Sequence, residues 1–387
     1  TNWRGKRIAI TGGCGFFGSR LAFQLVRQGA DKVFLLDIRE GKQLWPDDIS
    51  KDSIQFVHCD IRDKKNVNAA ISQHIDCVFH TCSFGMSGRE QLNFPLIEQV
   101  NVQGTQNIID ACISYNVQTL VYTSTTNVCF CGKPLENKDE SLPYSPDPND
   151  AYSRTKCLAE KKVLSMNGSF HDGKKSKLYT CSIRPAGIYG DGEERTIPRI
   201  VDMIRQGAVF FTIGSKDSLV EFIYVDNLVS AHIRAAERLL LLPYSEHQDP
   251  SKEQKDYIEL SNDEFKQNRD IIGGQAYFVS DCDPINNFEF FRPLIEGLGY
   301  SYPKFAVPRN IMMFVAWNIE WVHRMVHRIY NFQPLTRTEI NKVSVTHYFK
   351  PDKARNELGY EPFITTEEGM RRVVEHINKY YPPKQTL

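Results

Sequence analysis

The chain has 387 residues, enough for one large hydrophobic core or two joined ones. Its 47 basic and 47 acidic residues balance, and no basic cluster is interleaved with aromatic residues, which argues against nucleic acid as a partner. The 10 cysteines are scattered without a C-x-x-C pair or a matching histidine spacing. This pattern argues against a metal site and favours reduced thiols on the cytoplasmic side of the cell.

Short apolar runs alternate with helical patterns through the first half of the chain. The runs are continuously apolar, as expected of parallel strands that are covered on both faces. Six βα units in succession predict an α/β fold with a doubly wound parallel sheet, the Rossmann fold. The predicted strands are residues 7–11, 32–37, 54–60, 76–81, 119–124 and 179–184, and the predicted helices lie near 16–29, 63–74, 95–115 and 151–165.

A glycine motif follows the first strand directly and opens the first helix. Gly12, Gly15 and Gly18 form G-x-x-G-x-x-G. A tight turn with close backbone approach needs residues without Cβ, and a helix N-terminus offers free amides to a pyrophosphate. Because the motif lies between a strand and a helix, it predicts dinucleotide binding rather than a flexible turn.

Acidic residues follow the second and third predicted strands. Asp37 ends the second strand, where its carboxylate would accept hydrogen bonds from the adenosine ribose. The same charge would repel a 2′-phosphate, so NAD is favoured over NADP, although Arg39 could meet that phosphate. Asp60 is placed for the adenine amino group, or else is a polar loop residue.

Tyr152 and Lys156 lie four residues apart at the start of the predicted helix 151–165. The same Y-x-x-x-K spacing recurs at residues 300–304 and 380–384, but proline lies inside both of those segments and disfavours a helix there. Only the first pair lies where positions i and i+4 share a helix face. It is either a proton-transfer pair or two ordinary helix residues.

The regular alternation ends after about residue 190. We therefore predict an NAD-binding domain over residues 1–190 and a smaller, mostly helical substrate-binding portion over 191–387. Segments near 222–242 and 275–282 return to the Rossmann core. Residues 243–274 are polar, charged and without period, as in a mobile surface insertion. Further helices are predicted near 285–298, 308–331, 351–358 and 365–381.

Several of these stretches resemble the extended short-chain dehydrogenase/reductases. TGGCGFFG resembles their T-G-x-x-G-F-x-G cradle, YSRTK their Y-x-x-x-K, and VNVQGT their N-V-x-G-T helix. SFGMSGREQLN, TSTTNV and THYFKPDKARNELGY are similar to the 3β-hydroxysteroid dehydrogenase-like branch, most of all to short-chain dehydrogenase/reductase family 42E. The resemblance runs from about residue 6 to about 380, and the main departure is the insertion at 243–274.

The resemblance implies that Tyr152 is the catalytic acid/base and Lys156 its partner. Tyrosine has an ordinary pKa of about 10, and a nearby ammonium together with the positive nicotinamide ring would lower this pKa. The family's serine or threonine, which hydrogen-bonds the reacting oxygen, aligns with Thr125, and Ser124 is the alternative. Asn101 would fix a local hydrogen-bond network or is a packing residue.

The resemblance also implies loops against the cofactor at residues 80–83 and 184–188. We expect main-chain contacts there, so His80 is interpreted as structural rather than as a proton shuttle. Residues 84–90 would lie beside the substrate or cap the next helix. The expected cofactor-binding residues are Gly12, Gly15, Phe16, Phe17, Gly18, Asp37, Asp60, Ile61, His80, Thr81, Tyr152, Lys156, Pro185 and Ile188.

The expected function is NAD-dependent oxidation of a 3β-hydroxyl on a steroid or sterol to the 3-ketone. Some members of this group also isomerise a double bond or decarboxylate at C4. A flat apolar substrate suits the aromatic and methionine-rich second half. Its candidate wall residues are Phe288, Phe290, Phe291, Met312, Met313, Phe314 and Trp317.

Two other functions stay open. A nucleotide-sugar epimerase or dehydratase would use the same cradle, with Arg195 and Arg199 available for a diphosphate. A dinucleotide-sensing protein would bind without turnover.

Two partner surfaces are also expected. Segment 308–331 is too polar to span a bilayer, but it could lie on a membrane such as the endoplasmic reticulum or pack on the domain. A homodimer through the helices near 95–115 and 151–165 is expected by analogy with the family.

Overall fold

The computed structural model describes residues 3–41, 46–86, 88–148, 150–171, 173, 176–241, 269–326 and 336–382. The strands are β1 (Arg7–Thr11), β2 (Lys32–Asp37), β3 (Ile54–His58), β4 (Cys77–His80), β5 (Thr119–Thr123), β6 (Leu135–Lys138), β7 (Ser169–Phe170), β8 (Lys177–Pro185), β9 (Gly187–Tyr189), β10 (Thr212–Ile213), β11 (Phe222–Tyr224), β12 (Ala276–Val279), β13 (Ala306–Val307) and β14 (His347–Phe349).

The α-helices are α1 (Phe16–Arg27), α2 (Lys64–Ile71), α3 (Phe94–Glu98), α4 (Thr105–Ser114), α5 (Ala151–Ser165), α6 (Thr196–Arg205), α7 (Val225–Leu240), α8 (Asn287–Phe290), α9 (Arg292–Gly297), α10 (Arg309–Val326), α11 (Arg337–Ser344) and α12 (Thr366–Tyr380). Short 3₁₀ helices lie at Lys51–Ser53, Gly88–Leu92 and Thr126–Val128, and π-helical turns at Gln99–Gly104 and Ala354–Leu358.

The main sheet is parallel and has the strand order β12-β8-β5-β4-β1-β2-β3, with β7 added antiparallel to β8. In the register, Ile8 lies between Val33 of β2 and Cys77 of β4. The chain builds outward from β1 in one direction and from β4 in the other. In such sheets ligands bind where the order reverses, outside the carboxyl ends of the strands. The predicted doubly wound fold is confirmed.

Both faces of the sheet are covered, which explains the continuously apolar strands. Successive side chains of a strand point to opposite faces. Ile8 and Ile10 therefore join the core that contains Leu21 of α1 and Leu228 of α7, whereas Ala9 joins the core beneath α2, α4 and α5.

The second half of the chain both extends the sheet and builds its own core. β12 pairs with β8, and α7 packs on α1, β5 and β8. A separate core contains Val201 of α6, Leu294 of α9 and Val373 of α12. The predicted boundary at residue 190 stays a prediction.

Residues 243–268 of the predicted insertion lie outside the described residues. At its C-terminal end, Ile272 is buried in the main core. Among the helices described, none is both long and apolar enough to cross a membrane.

Candidate active site

The glycine cradle leaves no room for side chains. Gly12 has φ +66°, its amide donates to the Leu36 carbonyl at 2.8 Å, and a Cβ there would lie 3.1 Å from Cys82 Cα. A Cβ on Gly18 would lie 2.4 Å from the Gly12 carbonyl oxygen. Gly13, which the motif analysis did not single out, is equally confined, since its Cβ would lie 2.8 Å from Leu35 Cα.

The first helix starts from this cradle. Gly15 occupies the N-cap position and provides no side-chain cap, so the first-turn amides stay available to an anion. Phe17 packs against His232 at an interplanar angle of 59° with ring centroids 4.7 Å apart, and the Arg20 guanidinium lies 5.7 Å from the centroid of the Phe16 ring. These contacts fix the helix start, and the cradle fits a dinucleotide pyrophosphate.

Asp37 and Asp60 have different surroundings. The Asp37 carboxylate accepts hydrogen bonds from the Cys14 amide at 3.2 Å and the Ile38 amide at 2.8 Å, which fixes it at the end of β2 beside the cradle. Asp60 is paired with Arg62 at 2.5 Å, and hydrogen bonds from Arg62 hold the pKa of Asp60 below its ordinary value. The predicted adenine contact of Asp60 would have to compete with Arg62.

Ile61, Pro185 and Ile188 lie where the loops meet the sheet. Ile61 is buried, and its carbonyl accepts a hydrogen bond from the Asn107 side chain at 2.9 Å. Pro185 is buried at the end of β8 opposite Val279, whereas Ile188 of β9 is partly buried. Their predicted cofactor contacts stay predictions.

His80 lies inside a buried polar chain. Its Nδ1 lies 2.7 Å from Thr11 Oγ1, and its Nε2 lies 2.8 Å from Thr105 Oγ1. Burial and, to a lesser degree, the Lys156 charge lower the pKa of His80 to about 3, so the imidazole stays neutral. Thr81 Oγ1 donates to the Thr11 carbonyl at 2.6 Å. This geometry supports the structural interpretation of His80.

Tyr152 is buried in the first turn of α5. Asp150 caps this helix and accepts a hydrogen bond from the Ser153 amide at 2.6 Å. Burial raises the pKa of Tyr152 to about 12. A hydrogen bond with the Ser83 side chain and the Arg195 charge act to lower that pKa, whereas the Asp150 charge acts to raise it.

Lys156 lies one turn after Tyr152, but its ammonium contacts other groups. Nζ donates to the Thr123 carbonyl at 2.5 Å and lies 4.1 Å from the centroid of the Tyr122 ring. Burial lowers the pKa of Lys156 to about 7. The expected lowering of the tyrosine pKa is therefore not produced by the protein groups alone, because burial outweighs the charges around Tyr152.

The two hydroxyl candidates after β5 differ in environment. Thr125 caps the short helix Thr126–Val128, and its hydroxyl accepts from the Asn127 amide at 3.2 Å. Ser124 Oγ is buried and has no hydrogen-bond partner among the described residues. Burial opposes ionisation of the nearby Glu160 carboxylate, but Arg184 holds its pKa below the ordinary value. The assignment of the reacting-oxygen contact to Thr125, with Ser124 as the alternative, stays a prediction.

Asn101 ties the loop after β4 to α5. Its side chain accepts from the Phe84 amide at 2.8 Å and donates to the Phe84 carbonyl and to Thr155 Oγ1, both at 2.9 Å. Thr155 Oγ1 in turn donates to the Tyr152 carbonyl at 2.9 Å. Asn101 therefore helps to position both the loop that carries Ser83 and the turn that carries Tyr152.

The candidate wall residues do not form one surface. Phe290 is buried in the second core and stacks on Phe222 with ring centroids 3.5 Å apart. Phe314 and Trp317 of α10 are at least half exposed and stack on each other. Phe288 lines a separate cavity of about 290 Å³.

Ser83 and Arg195 act on the pKa of Tyr152, and the sequence motifs did not connect either residue with Tyr152. Ser83 is part of the expected cofactor loop, and Arg195 was considered only for a diphosphate. These two residues lie about 70 and 40 residues from Tyr152 in the chain. They come near it only through folding, so a local sequence motif cannot predict their proximity.

The glycine cradle, the doubly wound sheet and the Tyr152/Lys156 helix together define an extended short-chain dehydrogenase/reductase. A family model described as "3-beta hydroxysteroid dehydrogenase/isomerase family" matches residues 9–309, and the chain belongs to this family. The family assignment made from the sequence motifs is confirmed.

Relatives with similarity over most of the chain include members of the predicted branch. Short-chain dehydrogenase/reductase family 42E member 1 of Danio rerio is 49% identical over 365 residues, covering 93% of this chain and 86% of the relative. The Homo sapiens protein of the same name is 47% identical, covering 94% and 86%. The Arabidopsis thaliana 3beta-hydroxysteroid-dehydrogenase/decarboxylase isoform 1 is 34% identical, covering 97% and 81%.

Solved structures confirm the fold. A dTDP-glucose 4,6-dehydratase from Streptomyces venezuelae with NAD bound has a TM-score of 0.67 at 20% identity, covering 97% of both chains. The Thermus thermophilus UDP-glucose 4-epimerase in complex with NAD has a TM-score of 0.65 at 20% identity, covering 97% of this chain and 99% of the epimerase. The chain therefore belongs to a family of nicotinamide dinucleotide-dependent oxidoreductases.

Proposed function

We propose that the protein oxidises a 3β-hydroxyl on a steroid or sterol to the 3-ketone with NAD. The observation that carries this proposal is the burial of Tyr152 at the start of α5, in a chain that also has the glycine cradle. Membership of the 3β-hydroxysteroid dehydrogenase/isomerase family supports the steroid class, as does the name of the Arabidopsis relative.

The dinucleotide supplies the hydride acceptor when it is bound. In the oxidation, Tyr152 takes the proton of the substrate hydroxyl as general base. Thr125 hydrogen-bonds the reacting oxygen, while Ser83 and Arg195 favour the ionised form of Tyr152. In the reverse direction the protonated Tyr152 acts as the acid.

We propose NAD rather than NADP because of Asp37. Its carboxylate is held beside the cradle by the amides of Cys14 and Ile38, at the end of β2 where an adenosine ribose binds in this fold. A fixed negative charge there would repel a 2′-phosphate.

The substitution Tyr152→Phe tests the function. We expect a loss of roughly 10²–10⁴-fold in NADH formation with detergent-solubilised 3β-hydroxysteroids, because the general base is removed. NAD binding, measured by calorimetry, is expected to stay the same. Tyr300→Phe is the matched control, since it changes an exposed tyrosine with the same Y-x-x-x-K spacing.

Other outcomes would assign the protein differently. NAD binding without turnover of any steroid would contradict the proposal and favour a sensor. Turnover of a nucleotide sugar in place of steroids would favour an epimerase or dehydratase.

We also propose that α10 contacts a lipid surface. One side of this helix buries Met312 and Ala316 against the protein, yet many of its other apolar side chains are exposed. An apolar exposed face on a surface helix is typical of interfacial helices. The exposed apolar face of α10 comprises Ile311, Phe314, Val315, Trp317, Trp321, Val322 and Met325.

A further inference from the structure

An ion pair joins the second half of the chain to the catalytic helix. Lys342 Nζ of α11 lies 2.8 Å from Asp150 Oδ2, and the two side chains are only 23% and 13% exposed. The other Asp150 oxygen accepts the Ser153 amide as the N-cap of α5. This carboxylate lies two residues before Tyr152, so the pair connects α11 to the first turn that carries the proposed base.

The lysine is held by an ordered helix. α11 begins with a capping box in which Thr336 and Glu339 exchange hydrogen bonds. Arg309 of α10 donates to Asn341 Oδ1 at 2.8 Å, and Ile340 is buried in the adjacent core. Lys342 therefore contacts Asp150 from a helix that is held by its own cap and by its contacts with α10 and the adjacent core.

The groups that interact electrostatically with Tyr152 come from several elements. Tyr122 of β5 is buried and interacts electrostatically with Tyr152. Arg195, before α6, is paired with Glu90 at 3.4 Å and is more than half exposed, so solvent screens its charge. Asp150 is better shielded from solvent, and its negative charge opposes ionisation of Tyr152.

Within this environment Lys342 is the counter-charge to Asp150. Burial alone would raise the pKa of Asp150, but Lys342 and the Ser153 groups hold it below its ordinary value. Asp150 therefore stays ionised, with the Lys342 ammonium as its counter-charge. Removal of the lysine would leave the full effect of Asp150 on Tyr152.

We infer that Lys342 is a positioning residue of the reaction, which holds the first turn of α5 through Asp150 and offsets the Asp150 charge beside Tyr152. The expected change in the pH profile rests on the proposed function, whereas the positioning of the first turn of α5 does not.

The kinetic test compares Lys342→Met, Asp150→Asn and the double variant. Oxidation needs ionised Tyr152, so the rate rises with pH. We expect Lys342→Met to move this rise to higher pH by about half a unit or more, because Asp150 is left without its counter-charge. Asp150→Asn, which retains a good N-cap, is expected to move the rise to lower pH. In the Asp150→Asn background, Lys342→Met should produce no shift to higher pH.

Lys162→Met is the matched control. Lys162 lies on the same helix and donates to Gln106 Oε1 of α4 at 2.9 Å, so its loss also removes a contact between helices. At ten residues from Tyr152, it is about 15 Å away along the helix. Its pH profile is expected to match that of the unchanged protein.

Amide hydrogen exchange tests the positioning role without a substrate. We expect residues 150–156 to exchange several-fold faster in Lys342→Met, and at the original rate in Lys162→Met. Unchanged exchange in Lys342→Met would overturn the positioning role. With turnover present, an unchanged pH profile, or a shift that persists in the Asp150→Asn background, would overturn the electrostatic role. Failure of the unchanged protein to oxidise any steroid would contradict the proposed function instead.

Discussion

At the scale of single residues, Gly18 is the most confined position of the cradle. A Cβ there would lie 2.4 Å from a backbone oxygen of Gly12, and backbone cannot move aside as a flexible side chain can. We predict that Gly18→Ala destabilises the fold by about 1–3 kcal/mol and weakens NAD binding at least tenfold. Urea unfolding and calorimetry measure the two effects.

Gly297→Ala is the control that separates the loss of stability from the loss of NAD affinity. Its Cβ would lie 2.6 Å from a methyl group of Val374 on α12, in the second core rather than in the cradle. We expect some loss of stability with unchanged NAD affinity. Equal loss of affinity in both variants would show that the Gly18 effect comes from general unfolding and not from the cradle.

Sequence patterns could identify the residues whose role depends on positions close to them along the chain. Gly12 and Gly18 follow a strand and open a helix, and Tyr152 and Lys156 share one helix face. The direction of the Tyr152 pKa was not predictable, because it depends on burial and on groups brought close only by folding.

At the scale of elements, a buried ion pair fixes α5 to β8. Arg184 of β8 donates to Glu160 of α5 at 2.6 Å, and both side chains are almost fully buried. We predict that Arg184→Met destabilises the protein by about 3–5 kcal/mol, because it leaves the Glu160 charge buried without a counter-charge. The midpoint of urea unfolding measures this loss.

The pair has two informative comparisons. Adding Glu160→Gln to Arg184→Met is expected to recover part of the stability, since no unpaired charge remains. Arg371→Met removes an exposed pair with Glu368 and is expected to leave the midpoint almost unchanged. A loss in Arg371→Met as large as that in Arg184→Met would contradict the role given to burial.

Most of the long elements were predictable from sequence, but the ten-residue helix α6 was not predicted. Helix α5 has the predicted bounds, and the six strands predicted in the first half differ from prediction by at most two residues at either end, whereas β7 was not predicted. The two-residue strands β10 and β13 are too short for any periodic pattern. The single helix predicted near 95–115 is divided by the π-helical turn Gln99–Gly104, which contains Asn101.

At the scale of the whole molecule, α10 and α11 link the proposed lipid-facing surface to α5, the helix that carries Tyr152. Glu320 of α10 accepts from Arg337 of α11 at 2.9 Å, and Lys342 of α11 reaches Asp150. An apolar sterol dissolved in a bilayer would therefore meet a protein face that is connected by packing to Tyr152. The expected homodimer through α4 and α5 stays a prediction.

Vesicle binding tests the surface directly. We predict that the protein cosediments with phosphatidylcholine vesicles and that Phe314→Gln combined with Met325→Gln weakens this binding at least tenfold. Each of these side chains is about two-thirds exposed, and burial of one large apolar side chain contributes roughly 1.5–3 kcal/mol. Phe170→Gln, a similarly exposed phenylalanine on β7, is the control and should bind as the unchanged protein does. Equal binding by the double variant would reject α10 as the lipid contact, and a double variant that loses self-association instead would make this face a contact between two copies of the chain.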